Sequence, residues 1–101
     1  MKQYAATLQR FREVIRDLYG CDSVHKRSVP MRETLDGCAW HGTIEVFSLI
    51  GHPAATTVYV WSRDGRERCY ATLLAVDPVK TPLDAVRRDI AADLRTKRSV
   101  H

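Results

Sequence analysis

Residues 56–76 read TTVYVWSRDGRERCYATLLAV and predict a β-hairpin, because two β-rich runs flank Asp64-Gly65. Asp-Gly favours a two-residue type I′ turn, in which both central residues have positive φ. This turn predicts five facing pairs, which are Arg63 with Arg66, Trp61 with Arg68, Val60 with Cys69, Tyr59 with Tyr70, and Val58 with Ala71. One face is then small and aliphatic, and we expect it to be core (Val58, Val60, Cys69, Ala71 and Leu73). The other face is aromatic and polar (Thr57, Tyr59, Trp61, Arg68, Tyr70 and Thr72).

Asp36-Gly37 predicts a second two-residue turn, between residues 24–35 and 38–50. The resulting register pairs Leu35 with Cys38, Glu33 with Trp40, Met31 with Gly42, and Val29 with Ile44. It places six apolar residues on one face, namely Val29, Met31, Leu35, Trp40, Ile44 and Val46. Pro30 restricts residues 24–35 to an edge strand, and a loop remains the alternative there. Phe47 and Leu49 fit poorly on the opposite face, which predicts a bulge or a shared edge.

Amphipathic helices are predicted at both ends of the chain, over residues 3–19 and 82–98. The first has an apolar stripe and ends before Gly20; the stripe comprises Tyr4, Leu8, Phe11, Ile15 and Leu18. The second begins with Thr81 as N-cap, Pro82 at the first position and Asp84 at the third, and its stripe comprises Leu83, Val86, Ile90 and Leu94.

These elements predict one α+β domain spanning residues 1–101, with a helix, a four-stranded antiparallel meander and a second helix. The four strands are expected near residues 24–35, 38–50, 56–62 and 67–76. We expect a two-layer sandwich, with both helices on one face of the sheet and the other face open.

Composition excludes several classes of protein. The chain has 101 residues, of which 45% are hydrophobic and 28% charged, which is typical of a water-soluble domain. It has no transmembrane stretch, and its N-terminus is too charged for a signal peptide, so we expect a cytoplasmic protein. Three cysteines without CxxC spacing (Cys21, Cys38 and Cys69) predict free thiols. The net charge of +4 permits contact with a polyanion without requiring it.

Catalytic and metal sites are not indicated. Cys38 and His41 point to opposite faces of a strand, and Cys69 is predicted on the core face, so neither thiol meets His41. His41 and Glu45 share a face but lie about 13 Å apart along the strand. His52 is predicted to cap local backbone in its Gly-His-Pro turn. We therefore expect no catalytic activity, no cofactor and no metal.

The aromatic face of the sheet is the strongest candidate for function, as an interaction face that comprises His41, Thr43, Glu45, Tyr59, Trp61, Arg63, Arg66, Arg68 and Tyr70. One interpretation is structural, because a Tyr–Tyr pair and a Trp–Arg pair each stabilise a hairpin by about 0.5–1 kcal/mol. A second is a homodimer or protein interface. A third is nucleic-acid binding, with aromatic rings stacking on bases and arginines on phosphates. We favour a non-catalytic module that self-associates or binds a protein partner, with nucleic-acid binding as the alternative.

The segment WHGTIEVFSLIGHPAATTVYVWS, residues 40–62, resembles a family of small bacterial proteins with the pattern W-x-G-x-(V/I)-E-V-F-x-L-x-G-H-P-x-A followed by Y-x-W-S. The matching positions are Trp40, Gly42, Ile44, Glu45, Val46, Phe47, Leu49, Gly51, His52, Pro53, Ala55, Tyr59, Trp61 and Ser62. The resemblance extends through the C-terminal helix. It implies no activity and no site residues, because the family carries none that can be transferred.

Overall fold

The structure is a computed structural model that describes residues 2–62 and 70–99. Its elements are α1 (Lys2–Tyr19), β1 (Asp22–Leu35), β2 (Cys38–Ile50), β3 (Thr57–Ser62), β4 (Tyr70–Leu74) and α2 (Pro82–Ser99). The four strands form one antiparallel sheet in the order β1-β2-β3-β4. The predicted α+β fold with a meander between two helices is therefore confirmed.

The β1–β2 hairpin has the predicted turn and register. Asp36 and Gly37 have φ values of 49° and 78°, as a type I′ turn requires. All four predicted pairs are present, from Leu35 opposite Cys38 to Val29 opposite Ile44. Residues 24–35 are thus a strand rather than a loop. The register shifts once, between His25 and Arg27, where Lys26 is the extra residue of a bulge.

The β3–β4 hairpin has a different register from the predicted one. Val58 pairs with Leu74 instead of Ala71, so β4 is displaced by three residues. Because side chains alternate between faces, an odd displacement turns every β4 side chain to the other face. Ala71 and Leu73 therefore lie on the same face as Tyr59 and Trp61. The predicted Asp64-Gly65 turn lies outside the described residues.

The two helices cover opposite faces of the sheet, so the predicted placement of both on one face is wrong. On one side Phe11 and Ile15 of α1 pack in a buried cluster with Phe47, Leu49, Ala55, Val58 and Val60. On the other side α2 packs in a second cluster, which comprises Ile44, Val46, Tyr59, Trp61, Val79, Ala85, Val86 and Ile90. A sheet with apolar side chains on both faces needs a cover on each. Each large side chain buried in this way contributes about 1.5–3 kcal/mol.

α1 ends at a glycine cap, as predicted. Gly20, at φ 69°, follows α1 and its N–H donates to the Arg16 carbonyl at 2.8 Å. The predicted stripe is wrong at Leu18, which is 61% exposed, because Tyr19 packs against the sheet instead. Tyr19 also shares a hydrogen bond of 2.7 Å with the Thr72 hydroxyl.

Thr81 is the N-cap of α2, as predicted, and its reciprocal hydrogen bonds with Asp84 form a capping box. The Asp84 N–H donates to Thr81 Oγ1 at 3.2 Å, and the Asp84 carboxylate accepts from the Lys80 and Thr81 N–H groups at 2.9 and 3.1 Å. These backbone hydrogen bonds, chiefly the one from Lys80, lower the pKa of Asp84. Across residues 2–62 and 70–99, neither helix contains a stretch with the length and apolarity needed to traverse a bilayer.

Candidate functional site

The predicted interaction face does not exist as one surface. His41, Thr43 and Glu45 lie on the α1 side of β2, whereas Tyr59 and Trp61 lie on the α2 side of β3. Tyr59 and Trp61 are 4% and 3% exposed, so neither ring can stack on an external partner. This part of the prediction is wrong because α2 covers the face on which both rings lie. Arg63, Arg66, Arg68 and the side chain of Tyr70 lie outside the described residues.

The polar atoms of the buried aromatic residues bond within the protein. The Trp40 and Trp61 indole N–H groups both donate to Oδ2 of Asp89 on α2, at 2.9 and 3.2 Å. The Tyr59 hydroxyl donates to the Lys80 carbonyl at 3.2 Å, and burial raises its pKa. These bonds tie β2 and β3 to α2 and its leading loop. The residues that suggested a binding platform therefore hold a helix on the sheet.

Glu45 is a buried carboxylate on the α1 side, 5% exposed. Its Oε1 accepts from the Ser28 hydroxyl and bonds Nε2 of His25 at 2.8 Å. The His25 ring lies edge-on to Phe47, with centroids 5.1 Å apart. One carboxylate oxygen thus joins a serine and a histidine of β1 to β2. The group fixes β1 to β2.

The role of Ser28 could have been found from the sequence. The confirmed β1–β2 register places Ser28 directly opposite Glu45 on the same face. His25 could not, because it lies beyond the bulge at Lys26, which changes the pairing that the turn predicts.

An open groove lies on the α1 side, between α1 and β2. Its volume is about 690 Å³, and its lining includes Thr7, Phe11, His41, Thr43 and Glu45. His41 and Thr43 are exposed there, on the same face as predicted. In the part of the chain that the structure describes, no cluster of three or more His, Cys, Asp or Glu side chains could hold a metal ion.

The other histidine and cysteine predictions can be checked directly. Nδ1 of His52 accepts the Ala54 and Ala55 N–H groups at 3.0 and 3.1 Å, so its predicted capping of local backbone is confirmed. Cys38 packs on the α2 side, on the opposite face from His41, as predicted. Cys21 and Cys38 are free thiols, and Cys69 lies outside the described residues.

The second groove lies between β4 and α2 and has a volume of about 490 Å³. Its floor is formed by Trp61, Ala71 and Leu73, and its wall by α2 residues that include Ala85, Arg88 and Ala92. Among the strands that the structure describes, β4 is an edge strand, since β3 is its one neighbour in the sheet order. The sequence does not predict this groove, because the predicted register places Ala71 and Leu73 on the opposite face from Trp61.

Comparison with known proteins returned no matching family model, no matching curated protein and no matching solved structure. The resemblance carried by residues 40–62 stays a prediction.

Proposed function

We propose that this protein is a non-catalytic interaction module that self-associates by pairing the outer edge of β4 with β4 of a second copy. The observation that carries the proposal is that β4, Tyr70–Leu74, contains no charged residue and borders a groove whose floor, Trp61, Ala71 and Leu73, is apolar. An edge strand presents a row of backbone donors and acceptors, and without charge or proline it is a template for another strand.

The opposite edge of the sheet has the features that prevent such pairing. β1 carries a bulge at Lys26, a proline at position 30 and a further basic residue, Arg32. Bulges, prolines and edge charges are the devices by which native proteins block edge-to-edge association. The contrast between β1 and β4 favours β4 as the edge that takes a partner.

The hydrogen bonds between β3 and β4 identify which backbone groups of β4 point away from β3. The Ala75 N–H donates to the Thr57 carbonyl at 2.9 Å, on the β3 side. Backbone direction alternates along an antiparallel strand, so Leu73 and Ala71 also bond towards β3. The N–H and C=O groups of Thr72, between them, are directed outward and are available to a second strand.

A second copy fits this edge because β4 is self-complementary about Thr72. A two-fold axis at Thr72 pairs the two Thr72 backbones with each other and places each Ala71 opposite Leu73 of the second copy. The pairing opposes no like charges. It also brings together the two half-buried Leu73 side chains and joins the apolar floors of the two grooves.

Site-directed disulfide formation tests the pairing and its register. In a background with the native cysteines replaced by serine, Thr72→Cys places two thiols at a hydrogen-bonded antiparallel pair, with Cα atoms about 5.5 Å apart. That separation lies within the disulfide range of about 4.4–6.8 Å. Ala71→Cys is the matched control, because the two copies of residue 71 are diagonal neighbours at about 7–8 Å.

We expect Thr72→Cys to form a covalent dimer under mild oxidation and Ala71→Cys to remain largely monomeric on non-reducing gels. Light scattering of the parent protein should show a dimer whose fraction rises with concentration. Ala71→Lys should abolish it, and Ala39→Lys, on an exposed site of the other face, should not. A parent that stays monomeric at all concentrations, or equal cross-linking of both cysteine variants, would contradict the proposal.

Nucleic-acid binding is the competing hypothesis, supported by the net charge of +4. It predicts affinity that falls steeply with salt. Titration of labelled single- and double-stranded nucleic acid at low and physiological salt separates the two hypotheses. Salt-sensitive binding by a protein that does not dimerise would favour the alternative.

A further inference from the structure

A small polar cavity lies between α1 and the start of β1, away from both grooves. Its volume is about 280 Å³, and it is lined by Gln9, Arg12, Glu13, Arg16, Asp22 and Ser23. The four α1 residues follow helical spacing, so they form one polar stripe above the strand. The cavity is therefore built by a helix face and the first residues of β1.

Ser23 is the residue in this cavity that most requires an explanation. It is 2% exposed, and its buried hydroxyl has no hydrogen-bond partner within the described chain. A buried hydroxyl without a partner is destabilising, and native proteins rarely keep one without a functional reason. Because Ser23 lines the cavity, a ligand with an acceptor oxygen would supply the missing bond.

The charges around the cavity leave one guanidinium uncompensated. Arg16 pairs with Asp22, and Glu13 pairs with Arg10 at 3.7 Å. Arg12 has no carboxylate within ion-pair distance among residues 2–62 and 70–99, and its contact with Gln9 Oε1 is long, at 3.5 Å. The cavity thus offers a positive donor in addition to the serine hydroxyl.

We propose that this cavity binds a phosphate group, through the Arg12 guanidinium and the Ser23 hydroxyl. Guanidinium groups bind phosphate oxygens with two parallel hydrogen bonds, and a serine hydroxyl donates to a third oxygen. Both carboxylates at the rim are engaged by arginines, which reduces their repulsion of an anion. The phosphate can be inorganic phosphate or the phosphoryl group of a monoester. This proposal does not depend on the pairing of β4.

Thermal and urea unfolding with added inorganic phosphate test the site, with sodium chloride added to equal ionic strength as the reference. At a phosphate concentration ten times the Kd, the ratio of folded to unfolded protein should rise about elevenfold. Arg12→Gln and Ser23→Ala should lose this response, whereas Arg32→Gln, which removes an exposed arginine of β1, should keep it.

Ser23→Ala also gives a readout in the absence of phosphate, which shows that a lost phosphate response does not come from a lost fold. Without phosphate the variant should melt no lower than the parent, because it removes an unsatisfied hydroxyl. O-phosphoserine distinguishes the two sources, since tighter binding than inorganic phosphate indicates a monoester and weaker binding indicates the free ion. A parent that does not respond to either compound, or a Ser23→Ala variant that keeps the full response, would overturn the proposal.

Discussion

Replacing Asp89 with alanine should be among the most destabilising single changes on α2. The carboxylate accepts the indole N–H groups of Trp40 and Trp61, at 2.9 and 3.2 Å. Trp61 is 3% exposed, so its donor cannot turn to water, and an unsatisfied buried donor costs about 1–3 kcal/mol. Trp40 is half-buried and recovers part of its loss through water. The total loss is about 2–4 kcal/mol, since hydrogen bonds to charged acceptors contribute about 1.5–3 kcal/mol each.

Urea unfolding followed by tryptophan fluorescence measures this loss directly. The chain contains two tryptophans and both bond to Asp89, so the emission reports on the perturbed site itself. For a domain of this size each kcal/mol corresponds to about 4–8 °C in melting temperature. We therefore expect Asp89→Ala to melt at least about 8 °C below the parent.

Two control variants make the result specific to the indole bonds. Asp89→Asn keeps an acceptor oxygen and loses the charge, so its loss of stability should be clearly smaller. Asp17→Ala removes an exposed carboxylate from α1 and should change stability by less than about 0.5 kcal/mol. A loss below about 1 kcal/mol for Asp89→Ala, or equal losses for the two alanine variants, would refute the reasoning.

Three further changes test the local structure by urea unfolding. Thr81→Ala removes the N-cap of α2 and should cost about 1 kcal/mol; no change would exclude its role in the capping box. Gly37→Ala forces a side chain into φ 78° and should cost about 1–2 kcal/mol, whereas a neutral effect would mean that the turn has relaxed. Hydrogen bonds from the Thr34 N–H and then Arg87 lower the pKa of Glu33 below 4.5. The ionised Glu33 carboxylate therefore adds to the free energy of unfolding above its unfolded-state pKa, and this stabilisation is lost as pH falls through its folded-state pKa. The stability advantage over Glu33→Gln should shrink on acidification, and a constant difference would contradict this assignment.

The β1–β2 hairpin could be predicted residue by residue because two independent signals agree there. Asp36-Gly37 specifies the turn, and the register it implies collects the apolar residues on one face. Glu45 and Thr43, directed to the other side, are polar. A slipped register would have exposed apolar side chains, so the pattern excluded it.

The β3–β4 hairpin has no hydrophobic pattern that agrees with only one register. Val58 and Val60 are buried beneath α1, and Tyr59 and Trp61 are buried beneath α2. Because β3 has apolar residues on both faces, a one-residue slip in its pairing would still bury apolar side chains on both sides. The hydrophobic pattern therefore does not specify the register. Turn chemistry alone predicts a pairing that differs by three residues from the observed one. The predicted interaction face follows from that pairing.

One signal in the sequence did indicate the second covered face. Phe47 and Leu49 lie on the same side of β2 as Glu45, where an open face would have required polar residues. The bulge or shared edge that they predict is not their cause, because both side chains pack against α1. A strand that is apolar on both faces needs a cover on each side of the sheet. Two amphipathic helices, one on each side, provide that cover.

Coverage of both faces changes where a partner can bind. The two helices cover much of both faces of the sheet, which leaves less face area for a partner. A partner strand can still pair with the backbone of an edge strand, β1 or β4. In the part of the chain that the structure describes, β1 pairs along its length with β2, and residues 70–74 of β4 pair with β3. An edge strand gains from a new neighbour, because pairing buries side chains that are half-exposed in the monomer. In the dimer that we propose, association through β4 would stabilise the folded chain, because the second copy would bind the folded state alone.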